Sequence, residues 1–320
     1  MKEINISEIE GFKIGQAQDK EGATGCTVVI CEKGAFAGVD VRGGGPASRE
    51  TELLKPVNLV EQIHAVMLSG GSAYGLDAGS GAMKYLEEKG IGFDVQVAVV
   101  PIVCGAALFD LVVGDPKSRP DLEMGYQACV NASNKPPGEG NEGAGTGASV
   151  GKLFGTERMM KSGLGTYAAQ TGGLKVGAIV AVNALGDIID IDTGKIIAGL
   201  LSEDKSKIVS TEQAMYDQYE NQTNLFSGNT TIGVIITNAK LTKTQATKIA
   251  SIAHNGFARA IRPVHTMFDG DTIFVMATGE VEVMPDAVGA LAATVMAKAI
   301  NRAAKAAKPA YGLKAASDFK

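Results

Sequence analysis

The chain is 320 residues long, 45% hydrophobic and 20% charged, a composition that can bury a large core and is far from that of a disordered chain. Its 30 basic and 35 acidic residues leave a net charge of −5, without the basic surplus that nucleic-acid binding needs. Aromatics make up 5% and tryptophan is absent, which argues against stacking platforms for single strands or sugars.

In chain order, the first ten residues carry three acids and no apolar run. No signal peptide is predicted, and the expected compartment is the cytoplasm. Short β-branched runs at 28–30, 95–100, 176–182, 232–237 and 273–277, edged by Gly, Pro or Asp, predict buried strands. Residues 59–89 read as an Ala-rich helical stretch with two glycine-rich interruptions, SGGSAYG and DAGSGA. The longest apolar run, 95–113, is broken by Gln96, Pro101 and Asp110; it predicts a core strand, a turn and a core helix, not a membrane span. Helices are predicted over 242–261, opened by a Thr cap, and over 285–308, opened by Pro-Asp. Strands between long helices define an α/β layered protein, and no repeat period is present. The 41 glycines exceed the usual ~7% and lie in apolar company, a sign of closely packed backbones. Segments 133–147 and 216–229 are candidate linkers, the first expected to be mobile. Cys26, Cys31, Cys104 and Cys129 form no CxxC pair and are expected to be buried free thiols.

Most chemistries fail on spacing. Lys152 ends GASVGKL, but a P-loop would need Gly at Thr146 and Ser or Thr at Leu153. His64, His254 and His265 are not paired at metal-ligand spacing, so a histidine metal site is a poor candidate. Residues 147–151 spell GxSxG, and Ser149 could form a triad with His265 and Asp187 or Asp190, although a Pro/Gly loop stands where that motif needs a strand. Asp269 and Asp271, two apart before a predicted strand, read locally either as a solvated Asp-Gly turn or as two acids on one face that repel unless a cation lies between them. Gly228-Asn229-Thr230 reads locally as the end of a turn or as a strained junction. In the second reading Thr230 attacks the preceding carbonyl, and the α-amine so released serves as its base.

Six stretches taken together resemble a known family along nearly the whole chain: GATGCTVVI, VDVRGGGPASRET, LSGGSAYGLDAGSGAM, GAGTGASVGK, GNTTIGVIITN and HTMFDGDTIF. The chain resembles the self-processing N-terminal-nucleophile aminopeptidases, which include L-aminopeptidase/D-esterase, β-peptidyl aminopeptidases and nylon-oligomer hydrolases. The resemblance implies an α/β fold, a four-layer α-β-β-α sandwich. It implies one hydrolase domain over 1–320, cut between Asn229 and Thr230 into a long subunit, 1–229, and a short one, 230–320. Thr230 would be the nucleophile, polarised by Asp269 and Asp271; Asn183 would help hold the oxyanion and Lys152 would line the site. Some members have Ser at the nucleophile with Ser and Glu downstream, so the Thr-Asp-Asp set is similar to the nylon-oligomer hydrolase branch. Where many relatives have Tyr in the pocket, this chain aligns Phe109. The implied substrates are small linear amides, 6-aminohexanoate oligomers or short peptides, and the implied assembly is a homo-oligomer, a tetramer of two-subunit protomers. An amidase of this kind, acting through an acyl-Thr230 ester, is expected to need neither metal nor organic cofactor. The alternatives are a serine hydrolase using Ser149 and His265, and an uncut, non-catalytic relative.

Overall fold

The structure, a computed structural model, describes residues 1–219 and 228–319. Ten strands form the hydrogen-bonded framework. They are β1 (Lys2–Ile4), β2 (Lys13–Asp19), β3 (Thr24–Val41), β4 (Ser48–Arg49), β5 (Gln62–Ser69), β6 (Val103–Ala107), β7 (Leu164–Thr171), β8 (Leu174–Asn183), β9 (Thr230–Ala239) and β10 (Thr272–Val281). The helices are α1 (Ala78–Glu87), α2 (Leu122–Val130), the short α3 (Thr211–Asp217), α4 (Lys243–Ala260) and α5 (Pro285–Ala306). The strand order is β1-β7-β8-β9-β10-β3-β5-β6-β4, with β2 also on β3.

The 18-residue β3 is the hinge of this framework. Its first half pairs with β2 and β5, its second half with β10, and the register with β5 shifts between Ile30 and Ala35. The strands on either side of that bulge form two sheets that face each other. Val29, Val66 and Leu68 of one sheet share a core with Ile179, Val234 and Phe274 of the other. On the outer face of the first sheet, α1 and α2 cover Val28, Ala65 and Met67. On the outer face of the second, α4 and α5 cover Val180, Ile235 and Val275. The result is the α-β-β-α sandwich.

Strands buried on both faces need apolar side chains at every position. In β9, Ile232, Val234 and Ile236 enter the inter-sheet core, while Ile235 and Ala239 meet the helices. The helices start where expected: Thr242 accepts from Gln245 N in a capping box, and Pro285 opens α5. The glycine excess has a local cause. A Cβ on Gly38 would lie 2.2 Å from Thr247 N of α4, and one on Gly165 would lie 2.2 Å from Ala299 O of α5. Only bare backbone lets these layers approach so closely.

Several expectations change. The stretch 59–89 holds β5 ahead of α1, because a short run buried on both faces has no period that separates strand from helix. Residues 95–100 are not a core strand. They belong to a small hairpin of Phe93–Asp94 with Val99–Val100, and Val97 is 92% exposed. The core strand is β6, and no helix follows it over 108–113. Segment 133–147 is not a linker, since its turn Gly143–Gly145 is buried and Ala144 N donates to Thr27 Oγ1 of β3 at 3.1 Å. Of 216–229, residues 220–227 lie outside the described residues. The four cysteines are buried and unpaired, and burial pushes Cys31 up to about 11. Among the described residues, no helix is long and apolar enough to cross a membrane.

Candidate active site

Three strand ends meet at one edge of the second sheet. The antiparallel register of β8 and β9 sets Asn183 opposite Thr230. The parallel register of β9 and β10 sets Ile232 opposite Thr272, so Asp271 lies beside the start of β9, and an isolated bridge between Asn229 and Asp269 keeps the same register ahead of the strands. The turn before β10 is therefore clamped to the peptide before β9: Asn229 N donates to Phe268 O at 3.1 Å, and Gly270 N donates to Asn229 O at 2.8 Å.

Thr230 is buried, and its hydroxyl donates to the carbonyl oxygen of Asn229, the residue before it. A Cβ at Gly270 would lie 2.6 Å from Thr230 Oγ1, so glycine is required for the turn to close over the hydroxyl. Neither Asn229 nor Thr230 has a positive φ. The expected junction strain does not take the left-handed form there; the left-handed residues beside the site are Ser72 and His265.

The acids are not a solvated turn, because Asp269 and Asp271 are each 1% exposed. Nor do their bonds converge on one point between them. Asp269 Oδ2 accepts from Thr266 N at 2.8 Å and Thr266 Oγ1 at 2.6 Å. Asp271 Oδ1 accepts from Thr231 N at 2.8 Å, and its Oδ2 accepts from His265 N at 3.2 Å and meets His265 Nδ1 at 2.8 Å. Burial first, and the neighbouring Asp271 charge second, push Asp269 up to about 6.

Lys152 is fully buried and donates to Asn183 Oδ1 at 2.7 Å, with longer contacts to Asn183 O and Gly228 O. Burial lowers it to about 7 against the opposing pull of Asp269 and Asp110. Asn183 Oδ1 also accepts from Ser149 N at 3.1 Å, and its Nδ2 donates to Phe109 O at 2.9 Å. Lys152, Asn183 and the backbone of Phe109 thus form one network behind Thr230. In front lies a cavity of about 210 Å³, lined by Ala47, Ser72, Phe109, Met267 and Phe268 around Thr230. A larger one of about 600 Å³, beside Lys33, Glu61, His64 and Asp94, contains none of these site residues.

The Ser149 triad is not assembled. Ser149 Oγ is buried without a hydrogen-bond partner among the described residues, and its strand Ser149–Val150 pairs with Met160–Lys161 instead of leading into a helix. His265 turns to Asp271, Asp187 accepts from Thr211 and Leu200, and Asp190 pairs with Lys305. Two participants escaped the sequence reading. Thr266 carried a signal, since a hydroxyl three residues before an acid often caps it. Gly270 carried none.

The fold has relatives. The L-aminopeptidase D-Ala-esterase/amidase of Ochrobactrum anthropi, described as a variant of the Ntn hydrolase fold, matches with a TM-score of 0.72 at 17% identity, over 97% of this chain and 90% of that one. A β-aminopeptidase of Burkholderia sp. matches with a TM-score of 0.70 at 19% identity, over 95% and 86%. The architecture is thus an Ntn-hydrolase-type sandwich. The sequence profile of peptidase family S58 matches residues 5–316, and the chain belongs to that family. It is 39% identical to an uncharacterized aminopeptidase of Mycobacterium tuberculosis, over 97% of this chain and 96% of the relative. It is 31% identical to the 6-aminohexanoate-oligomer endohydrolase of Kocuria sp., over 93% and 85%. The chain is a hydrolase of peptide or amide bonds.

Proposed function

We propose that the chain cuts itself between Asn229 and Thr230 and then uses Thr230 as the N-terminal nucleophile of an amidase. The observation that carries this reading is the hydroxyl of Thr230 lying on the carbonyl of Asn229, whose oxygen is held by Gly270 N–H. Thr230 Oγ attacks the Asn229 carbonyl carbon, the C–N bond to Thr230 breaks, and the nitrogen takes up the hydroxyl proton. The Gly270 N–H steadies the oxyanion that forms on the way. Water opens the resulting ester, leaving a carboxylate on Asn229 and a free amine on Thr230.

In turnover that amine accepts the hydroxyl proton as Oγ attacks a substrate amide; the leaving amine departs protonated, and water releases the acyl group. Asp269 and Asp271 orient the amine and its proton, while Lys152 and Asn183 set the charge behind the acyl carbon. The pieces 1–229 and 230–320 stay together, because β9 and β10 of the short piece are paired with β8 and β3 of the long one. The small, mostly apolar cavity suits unbranched chains, and the Thr-Asp-Asp set resembles that of the nylon-oligomer hydrolase branch. The substrates are therefore small linear amides, ω-amino-acid oligomers or short peptides. The working form is a cytoplasmic homo-oligomer, a tetramer of two-subunit protomers.

Mass spectrometry of active protein tests the reading. A fragment beginning at Thr230 is expected, and Thr230→Ala is expected to remain uncut and inactive. Full activity from an intact chain would overturn it.

A further inference from the structure

His265 is the residue around which the acidic turn is built. It holds a left-handed backbone, φ 59°, which is uncommon for a side chain of this size. That conformation lets two donors of one residue reach one oxygen: the backbone N–H and ring Nδ1 both lie on Asp271 Oδ2, at 3.2 and 2.8 Å. In the tautomer that carries its proton on Nδ1, both donors point at that one oxygen. The opposite oxygen, Oδ1, takes Thr231 N, which fixes the carboxylate beside the first peptide of β9. The ring is fixed in turn. It stacks on Phe257 of α4 at 5.9 Å and 24°, and meets His254 edge-on at 4.8 Å. His254 is fully buried and its Nε2 lies 3.0 Å from Asp40 O of β3. A chain of contacts thus runs from β3 and α4 through two rings to the carboxylate at the start of β9.

We propose that His265 is a positioning residue: it grips Asp271 by two donors and holds that carboxylate in line with the start of β9 for both self-cleavage and turnover. The inference rests on Thr230 being the nucleophile and Asp271 its acidic neighbour. His265 touches neither the scissile peptide nor the cavity, so its effect passes through Asp271.

The two features of His265 can be separated by substitution. Asn tolerates a left-handed backbone, and its Nδ2 is as many bonds from Cα as the ring Nδ1, so His265→Asn keeps both donors. His265→Gly keeps the backbone conformation and loses the side-chain donor. His265→Leu keeps bulk against Phe257 and loses the donor. With a 6-aminohexanoate dimer or a dipeptide amide as probe, His265→Asn is expected to stay within about three-fold of the parent in kcat. His265→Gly and His265→Leu are expected to lose about 10- to 100-fold in kcat and in self-cleavage rate, with KM within about two-fold, as a misplaced group costs. In an Asp271→Asn background, His265→Gly should add nothing further.

Equal kcat across the Asn, Gly and Leu variants would overturn the proposal, as would losses that multiply in the double variant. If the Gly chain does not accumulate folded, Asn against Leu decides by the same criterion. An active Thr230→Ala chain would sink the nucleophile reading itself. A dead Thr230→Ala beside an unimpaired His265→Gly would sink only the role of His265.

Discussion

The two sheets of the sandwich contribute different things to the site. From the second sheet come the groups proposed to react, Asn183 at the end of β8, Thr230 at the start of β9 and Asp271 just before β10, joined by backbone register. From the first sheet and its loops come Ala47, Ser72, Ala107 and Phe109, which line the cavity and carry no charge. Lys152 lies between the two, bonded to Asn183, while Asn183 reaches Phe109. The first sheet thus supplies one wall of the cavity, while Met267 and Phe268 of the turn before β10 supply another. Substitution should separate the two contributions, with changes at Asn183, Thr230 or Asp271 acting on rate and changes at Phe109 on substrate choice.

After Thr230→Ala, the sharpest break of that division is Lys152→Met. It removes the buried amine while keeping a chain of similar length, so the fold should persist. Self-cleavage followed on gels should slow by about 100-fold or more, the scale of a lost electrostatic contact. Next comes pH. Asp269, raised to about 6, must be charged, and Lys152, lowered to about 7, must keep its proton. Self-cleavage, which precedes the free amine, should quicken as pH rises through about 6 and slow above about 7. Asp269→Asn should erase the acid limb.

The same variant bears on stability. An acid raised by folding costs nothing below its unfolded value near 3.8 and its full penalty above about 6. Asp269→Asn, which keeps an oxygen for both Thr266 donors, should melt with the parent at pH 4. In an uncut Thr230→Ala background it should be more stable than the parent at pH 7.5, by up to about 3 kcal/mol for a rise from 3.8 to about 6. The smallest effect is expected from the first sheet. Phe109→Ala should enlarge the cavity and change KM or the preferred chain length by a few-fold, leaving kcat for the smallest amides nearly intact. A large kcat loss there would erase the division between the two contributions.

Much of the fold was legible because its signals are local. The cap at Thr242, the Pro at 285 and the all-apolar runs of β9 and β10 each lie within one element. The misread stretches failed for two reasons: in 59–89 a run buried on both faces has no period that tells strand from helix, and in 95–100 burial itself was misjudged. Apolar content does not say which of two neighbouring runs will be covered, and Val97 stayed outside while Cys104 and Ala106 went in. At the site, Thr230, Asp269 and Asp271 were visible as residue types in plausible places, but the local pattern favoured turns. His265 was visible only as a triad candidate for Ser149.

By itself the sequence determined which groups are present and where α4 and α5 begin, since propensity and capping act over a few residues. Tertiary structure decided which acid receives which donor and how far the Lys152 amine is stripped of water. Those outcomes depend on partners far along the chain, 40 positions from Thr231 to Asp271 and 74 from Asn183 to Phe109. Desolvation and pairing are properties of the packed layers, and only once β8, β9 and β10 lie side by side does an ordinary threonine share its burial with two acids and a lysine.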